Sequence, residues 1–163
     1  MKQGNFYYLT NTYYDKFGHC GIMKNKDEDE FGKHGRPCYY CFIYDGFYWM
    51  IPISSKINKY KNIYNNKIQK NPNYDGIRFG FVNGKERAFL LQNICPVIDK
   101  YIDCEYKIEH DTVSVRISKA LSKELNGIAR KIIRLHNNGI KIVLSDLTYI
   151  INELNKEKLT LNI

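Results

Sequence analysis

The feature that most restricts the fold is a pair of apolar segments separated by a short turn. Residues 38–45 are rich in Tyr, Phe and Ile, residues 47–55 are mostly apolar, and Asp45-Gly46 lies at the junction. An Asp-Gly pair between two such segments is a strong signal for a two-residue β-hairpin turn. We therefore predict two adjacent antiparallel strands. Pro52 has no N–H group to donate, which favours an edge position or a bulge for the second strand.

The open end of this hairpin collects groups that can interact with an anion. The second strand ends in Ser54-Ser55-Lys56, and Arg36 precedes the first strand, with Lys33 and His34 just before it. Because the strands are antiparallel, Arg36 is expected to lie near residues 54–56. Cations at such a place can neutralise the charge that develops on a reacting phosphodiester, while hydroxyls hydrogen-bond its oxygens. A simpler alternative is that the two serines cap the following helix and the cations bind phosphate without chemistry.

Charge and aromatic content favour a polyanionic partner. The chain of 163 residues has a formal net charge of +8 and contains 14 tyrosines. Basic charge attracts polyanions over a long range, and tyrosine rings can stack on bases. No apolar run reaches the roughly 20 residues that a membrane span needs, and no signal-peptide pattern begins the chain. We therefore expect a cytoplasmic protein with no membrane partner.

The other segments predict an α+β fold in one domain, residues 1–163. Asn83-Gly84 is the clearest type I′ turn in the chain. Strands followed by helices favour a compact, strongly curved antiparallel or barrel-like sheet at about 5–117, with peripheral helices and two C-terminal ones at about 118–156. Further strands are predicted at residues 6–9, 77–82, 87–92, 105–109 and 112–117. Helices are predicted from the cap at residues 10–12 to Gly18, at residues 57–70 and 96–102, from Ser118 to the stop at residues 137–139, and at residues 147–154 after a cap at Ser145.

Metal and redox chemistry find little support in the sequence. Cys38-x-x-Cys41 is a single pair, whereas a structural zinc site needs four ligands. Strand alternation would also place the two thiols on opposite faces. The chain has no H-E-x-x-H motif and no Walker A loop, and we predict that Asp146 and Glu153 are capping or solvent-facing. We therefore expect no metal and no cofactor, and we interpret the five cysteines as reduced thiols.

Two charged segments have a less specific interpretation. The acidic run at residues 27–30 is typical of a solvated loop tip, although it could shield the basic residues when RNA is absent. The predicted helix after Ser118 is basic, and such a helix is usually an amphipathic solvated one that could add phosphate contacts. Its cations are Lys119, Lys123, Arg130, Lys131 and Arg134.

Three segments together resemble the toxins of type III toxin–antitoxin systems, the ToxN-like proteins, and are most similar to the CptN branch. They are Gly35-Arg36-Pro37 before a strand, residues 48–56 with Lys59-Tyr60 after them, and residues 88–98. The likeness covers roughly residues 6–117. It implies a curved-sheet fold akin to the MazF/Kid toxins and a metal-independent endoribonuclease that leaves 2′,3′-cyclic phosphate and 5′-hydroxyl ends. It also implies an antitoxin that is a repeat-derived RNA pseudoknot, held with the toxin in a closed protein–RNA hetero-oligomer.

The resemblance also implies roles for particular residues. Ser54 and Ser55 match the hydroxyl pair of the family, Lys56 the lysine after it, and Arg36 approximately the upstream basic position, so these four are the candidate catalytic residues. In other branches an extra residue separates hydroxyl and lysine, which leaves open whether Lys56 faces the scissile phosphate or the RNA backbone. Two alternatives stay open: a non-catalytic RNA-binding regulator, and a MazF-like ribonuclease with a protein antitoxin. The candidate RNA-binding residues are Lys33, His34, Lys59, Tyr60, Lys61, Tyr7, Tyr8 and Lys67.

Overall fold

The computed structural model describes residues 1–26, 35–108 and 112–161, without the side chain of residue 161. Short 3₁₀ turns lie at Gly18–Cys20, Leu91–Asn93 and Asp99–Tyr101. The strands and helices are Phe6–Leu9 (β1), Asn11–Phe17 (α1), Cys38–Tyr44 (β2), Phe47–Ser54 (β3), Ile57–Lys70 (α2), Arg78–Val82 (β4), Lys85–Phe89 (β5), Cys95–Val97 (β6), Ile102–Glu105 (β7), Lys107–Ile108 (β8), Val113–Ser114 (β9), Lys119–Asn137 (α3) and Leu147–Leu161 (α4).

Both predicted hairpin turns are confirmed. Asp45 and Gly46 have φ values of 53° and 69°, and Asn83 and Gly84 have φ values of 48° and 70°. Two successive positive φ values are the mark of a type I′ turn, whose twist matches that of the flanking strands. The turns fix the pairing of β2 with β3 and of β4 with β5.

The main sheet is antiparallel and runs in the order β4-β5-β3-β2-β1-β7, with β6 paired to β3 as well. The strands β8 and β9 form a separate two-stranded sheet, in outline as predicted. With helices packed on this sheet the α+β class is confirmed. Within the described ranges the sheet does not close on itself into a barrel, so the barrel-like closure expected from the sequence is not seen.

The strand β3 lies inside the sheet and carries no bulge at Pro52, so the prediction of an edge position or a bulge for this strand was wrong. On one side β3 pairs with β2 along most of its length. On the other side it pairs with β6 through residues 48–50 and with β5 through Ile53 and Ser54. Pro52 therefore lies between the part of β3 that pairs with β6 and the part that pairs with β5. At this position its missing N–H removes no hydrogen bond between strands. The bulge lies in β2, between Tyr40 and Phe42.

Two groups of buried side chains hold the helices against the sheet. The larger joins β1, β2, β3 and β6 to α1, α3 and α4, and Trp49 at its centre is 1% exposed. The smaller packs Tyr60 of α2 against Ala88 and Leu90. Burying a large apolar side chain stabilises the fold by about 1.5–3 kcal/mol. Burial in these two groups is therefore the main stabilisation that holds α2 beside β5 and α3 beside β2.

Two predictions near the C-terminal half were wrong. Residues 96–102 do not form a helix, because Cys95–Val97 is a fully buried strand that pairs with β3. Ser145 does not cap α4: its hydroxyl is buried, whereas the Asp146 carboxylate accepts a hydrogen bond from Tyr149 N at 3.1 Å. Ser118 does cap α3, since its Oγ accepts a hydrogen bond from Leu121 N at 3.2 Å.

Candidate functional site

The candidate site begins where β3 ends. Ser54 pairs with Ala88 of β5 and is buried, and its Oγ accepts a hydrogen bond from Lys56 N at 3.2 Å. Ile57 N donates to Ser55 O at 2.9 Å, which starts α2. The side chains of Ser55 and Lys56 are exposed. Ser54 therefore braces the turn before α2, but the simpler sequence interpretation, in which the two serines cap the helix, is not confirmed, because the N-cap residue Lys56 has no side-chain cap hydrogen bond. The hydroxyl hydrogen of Ser54 remains available as a donor.

Arg36 lies directly beside this turn, as the hairpin geometry predicted. Its Nη1 donates to Ile53 O at 2.8 Å, and its Nε donates to Lys24 O at 3.1 Å. The side chain is 9% exposed, and within the described ranges it is the one charged residue that is buried. It forms no ion pair with a described carboxylate. Carbonyl groups thus fix a buried guanidinium whose charge no described acid offsets.

Asn25 holds the backbone around Arg36 in place. Its Oδ1 accepts hydrogen bonds from Arg36 N at 2.8 Å and from Lys26 N at 3.0 Å. Its Nδ2 donates to the side chain of Asn11 in α1 at 2.8 Å. Gly35 leaves the space for this amide, because a Cβ at residue 35 would lie 1.7 Å from Asn25 Oδ1. One amide therefore joins Lys26 to Arg36 and anchors both to α1.

Four cations converge at this point. The pKa of Lys26 is lowered, first by its partial withdrawal from water and then by the positive charges of Arg36, Arg87 and Lys56. The charged groups that shift the pKa of Lys26 are all positive among the described residues, and they give this place a positive potential. Sequence reasoning missed Lys26 and Arg87. Arg87 precedes Ala88, the partner of Ser54, and only the register between β3 and β5 shows that it belongs here.

The lysines predicted to bind RNA lie along α2. Lys59, Lys61 and Lys67 are exposed. Lys61 already has partners within the protein, because its Nζ lies 2.9 Å from Glu86 Oε2 and 5.8 Å from the ring centroid of Phe79. Lys33 and His34 lie outside the described residues, as does the acidic run at residues 27–30.

Most of the tyrosine side chains are buried or half-buried. Tyr7 is 5% exposed and packs edge-on against Tyr40, and Tyr60 is 5% exposed with its hydroxyl 3.8 Å from Met23 Sδ. Neither ring has a free face on which a base could stack, and Tyr8 is half-buried. Of the 14 tyrosines, Tyr44 and Tyr149 are the two exposed ones.

The cysteines and acidic residues have structural roles. Burial raises the pKa of the Cys38 and Cys41 thiols and raises that of Cys95 to about 12. Such thiols are protonated at neutral pH and poorly reactive. Asp146 caps α4, one of the two roles predicted for it. Glu153 was predicted to be capping or solvent-facing, but its side chain is 21% exposed and forms ion pairs with Lys16 and Lys156. In the described parts of the chain, His, Cys, Asp and Glu form no group of three that could hold a metal ion.

The arrangement is suited to a phosphate group. A fixed guanidinium, three further cations, two hydroxyls and the N-terminus of α2 offer charge and hydrogen-bond donors around the end of β3. Along the described residues, none of the helices is both long and apolar enough to cross a bilayer. Comparison with models of known protein families finds no family that matches the chain, and comparison with curated proteins finds no match either.

Proposed function

We propose that the chain is a metal-independent endoribonuclease, the toxin of a type III toxin–antitoxin system. The observation that carries the proposal is the convergence of Arg36, Lys56, Lys26 and Arg87 on the Ser54-Ser55 turn. The resemblance at residues 35–37 and 48–56 supports the same conclusion, because it concerns the two segments that this convergence joins. The finer fold relationship, to the MazF/Kid toxins, is proposed on that resemblance.

The proposed reaction uses a nucleophile that RNA itself carries. The 2′-oxygen attacks the adjacent phosphorus and loses its proton, the bond from phosphorus to the 5′-oxygen breaks, and the 5′-oxygen gains a proton. The products are a 2′,3′-cyclic phosphate and a 5′-hydroxyl. The negative charge on the non-bridging oxygens rises along this path, so preorganised cations and hydrogen-bond donors stabilise the transition state more than the substrate.

Each residue of the turn has a place in this scheme. Arg36 is held by the carbonyl groups of Lys24 and Ile53, so it contributes fixed charge without needing to reorganise. The Ser54 hydroxyl, which accepts a bond from Lys56 N, has its hydrogen left to donate to a phosphate oxygen. Ser55 and Lys56 are exposed and can reach the substrate directly.

Lys56→Ala tests the chemistry. Purified, RNA-free protein is incubated with mixed RNA in excess chelator, and the ends of the products are mapped. Wild-type protein should leave cyclic-phosphate ends, and Lys56→Ala should lower the cleavage rate by at least about 100-fold, the cost of removing one charge-stabilising group. Lys70→Ala, at the opposite end of α2, is the matched control and should cleave normally. A Lys56→Ala protein that cleaves at the wild-type rate would refute the assignment, and RNA that is bound but intact would favour the non-catalytic regulator.

The antitoxin is proposed to be RNA rather than protein. The resemblance implies a pseudoknot cut from a repeat array and bound with the toxin in a closed assembly. The DNA upstream of the gene tests this cheaply. A short tandem-repeat array supports an RNA antitoxin, whereas a small open reading frame there would indicate a protein antitoxin as in the MazF/Kid type.

A further inference from the structure

The helix α3 has a row of cations on one side that the candidate site does not use. Lys119, Lys123, Arg130 and Arg134 are separated by intervals of four, seven and four residues. At about 100° per residue these positions fall within an arc of about 60°. Arg116 precedes the helix at the same end as Lys119, and all five side chains are exposed. We call these five residues the α3 track.

The other Lys, Arg and Glu residues of α3 are Glu124 and Lys131, which are paired and lie about 100° around the helix from the centre of this row. Lys131 Nζ is 2.5 Å from Asp75 Oδ2, and Glu124 Oε1 accepts a hydrogen bond from Arg78 at 2.7 Å. None of the track residues forms an ion pair with a described carboxylate. An ordinary solvated helix face mixes the two signs of charge. The track instead concentrates one sign and leaves it unneutralised by the described acids.

A cavity opens at each end of the α3 track. The first, of about 290 Å³, is lined by Arg116, Lys119 and Lys123. The second, of about 310 Å³, is lined by Arg130 and Arg134 together with the rings of Phe42 and Tyr44. In the second, the Arg130 guanidinium lies 4.2 Å from the centroid of the Phe42 ring.

The second cavity combines features that bind a nucleic-acid base. Tyr44 is 44% exposed and is one of the two exposed tyrosines of the chain. A base can stack on such a ring or on a guanidinium plane, and this stacking is available only to an unpaired base. The helix rises about 22 Å over the 15 residue steps from Lys119 to Arg134, which is room for a few nucleotides and the low end of the site sizes of single-strand binders.

We propose that the α3 track binds a single-stranded segment of RNA, with phosphates along the cations and a base against Tyr44. The choice of RNA rests on the proposed function, whereas the choice of a single-stranded polyanion rests on the charge and the aromatic cavity. The second cavity is separate from the candidate site, because Tyr44 adjoins the Asp45-Gly46 turn whereas Arg36 and Ile53 lie at the open end of the same hairpin. The α3 track would extend binding beyond the scissile phosphate to a neighbouring segment of the same RNA strand.

Binding of a non-cleavable probe separates this proposal from the proposed function. The probe is a fluorescent single-stranded 2′-O-methyl RNA of twelve nucleotides, which has no free 2′-OH and so reports binding even if the protein has no nuclease activity. Lys123→Gln/Arg130→Gln should raise Kd at least tenfold and lower the slope of log K against log salt by about 1.4, because two phosphate contacts are lost. The control Lys70→Gln/Lys141→Gln removes the same charge from exposed positions and should change Kd less than threefold.

Two further binding measurements test whether the α3 track prefers single-stranded RNA. Tyr44→Ala should weaken binding of the single strand several-fold, and a duplex of the same length should bind more weakly and be insensitive to Tyr44→Ala. The proposal would be overturned if Lys123→Gln/Arg130→Gln and the control Lys70→Gln/Lys141→Gln raised Kd by the same factor. A duplex that binds as tightly as the single strand would overturn it as well. Intact RNA in the cleavage assay together with the expected loss of binding would refute the nuclease and leave the α3 track supported.

Discussion

Replacing Gly35 by alanine should disrupt the amide that organises the candidate site. An alanine Cβ would lie 1.7 Å from Oδ1, 2.3 Å from Cγ and 2.5 Å from Nδ2 of Asn25. No atoms tolerate such distances, so the Asn25 side chain must rotate away. Asn25 then loses the hydrogen bonds that it accepts from Arg36 N and Lys26 N and the one that it donates to Asn11. The backbone of residue 35 has no positive φ, so the cost comes from this contact and not from the glycine conformation.

The magnitude follows from two opposing terms. Each of the three lost hydrogen bonds is worth about 0.5–1.5 kcal/mol, and two of them are exposed to water, so the loss is about 1–3 kcal/mol. An alanine also restricts the unfolded chain, which stabilises the protein by about 0.4–1 kcal/mol. We therefore expect the free energy of unfolding to fall by about 1 kcal/mol in Gly35→Ala, within a range of about 0–2.5 kcal/mol.

A double-mutant cycle in urea distinguishes this contact from a general loss of order. Asn25→Ala alone should cost about 1–3 kcal/mol by losing the same bonds. In that background Gly35→Ala should be neutral or should stabilise by up to about 1 kcal/mol, because the side chain with which it collides is gone. Both single variants should also cleave RNA more slowly, since Lys26 and Arg36 are no longer joined. Additive free-energy losses in the double variant would refute the reasoning.

Three further predictions concern single contacts. Arg36→Lys should lower the RNA cleavage rate at least about tenfold while the protein stays folded by circular dichroism, because one ammonium cannot bond both Lys24 O and Ile53 O and face the phosphate. Asp146→Ala should lower the free energy of unfolding in urea by about 1 kcal/mol through loss of the α4 cap, whereas Ser145→Ala should not lose a cap. Burial raises the pKa of Glu157, but hydrogen bonds from Lys16, Tyr101 and Lys100 outweigh it and leave the pKa lowered. Glu157→Gln should therefore be less stable than wild type near neutral pH, and the difference should vanish as pH falls from the ordinary value of about 4.3 through the folded value; a Tm difference that grows on acidification would contradict this.

The local part of the structure could be predicted from the sequence. Asp45-Gly46 and Asn83-Gly84 specify their turns through backbone conformations that few other residues adopt, so the strands on either side of each turn follow. The proximity of Arg36 to Ser54 needed nothing beyond the antiparallel direction of one hairpin. The cap and the stop of α3 were equally local signals.

The non-local part could not be predicted. Arg87 enters the candidate site through the register between β3 and β5, which depends on how two separate hairpins meet. Pro96 lies in a strand because Cys95–Val97 is buried against Trp49, and that packing overrides a weak local preference. Tyrosine content suggested base stacking, but a ring such as Tyr39 serves the core equally well, and burial is decided by tertiary structure.

The distribution of acids separates structural cations from those available to a ligand. Arg78 is neutralised by Asp75 and Glu124, and it ties β4 to α3. Arg36 is more deeply buried, yet its hydrogen-bond acceptors among the described residues are carbonyl groups, which offset little of its charge. A buried charge without a counterion is costly, and a protein recovers that cost when an anion binds. Because Arg36 stands among three further cations, an arriving phosphate meets a positive potential that is already in place. The affinity for the proposed RNA partner should therefore depend on charge more than on stacking, and it should fall steeply with salt.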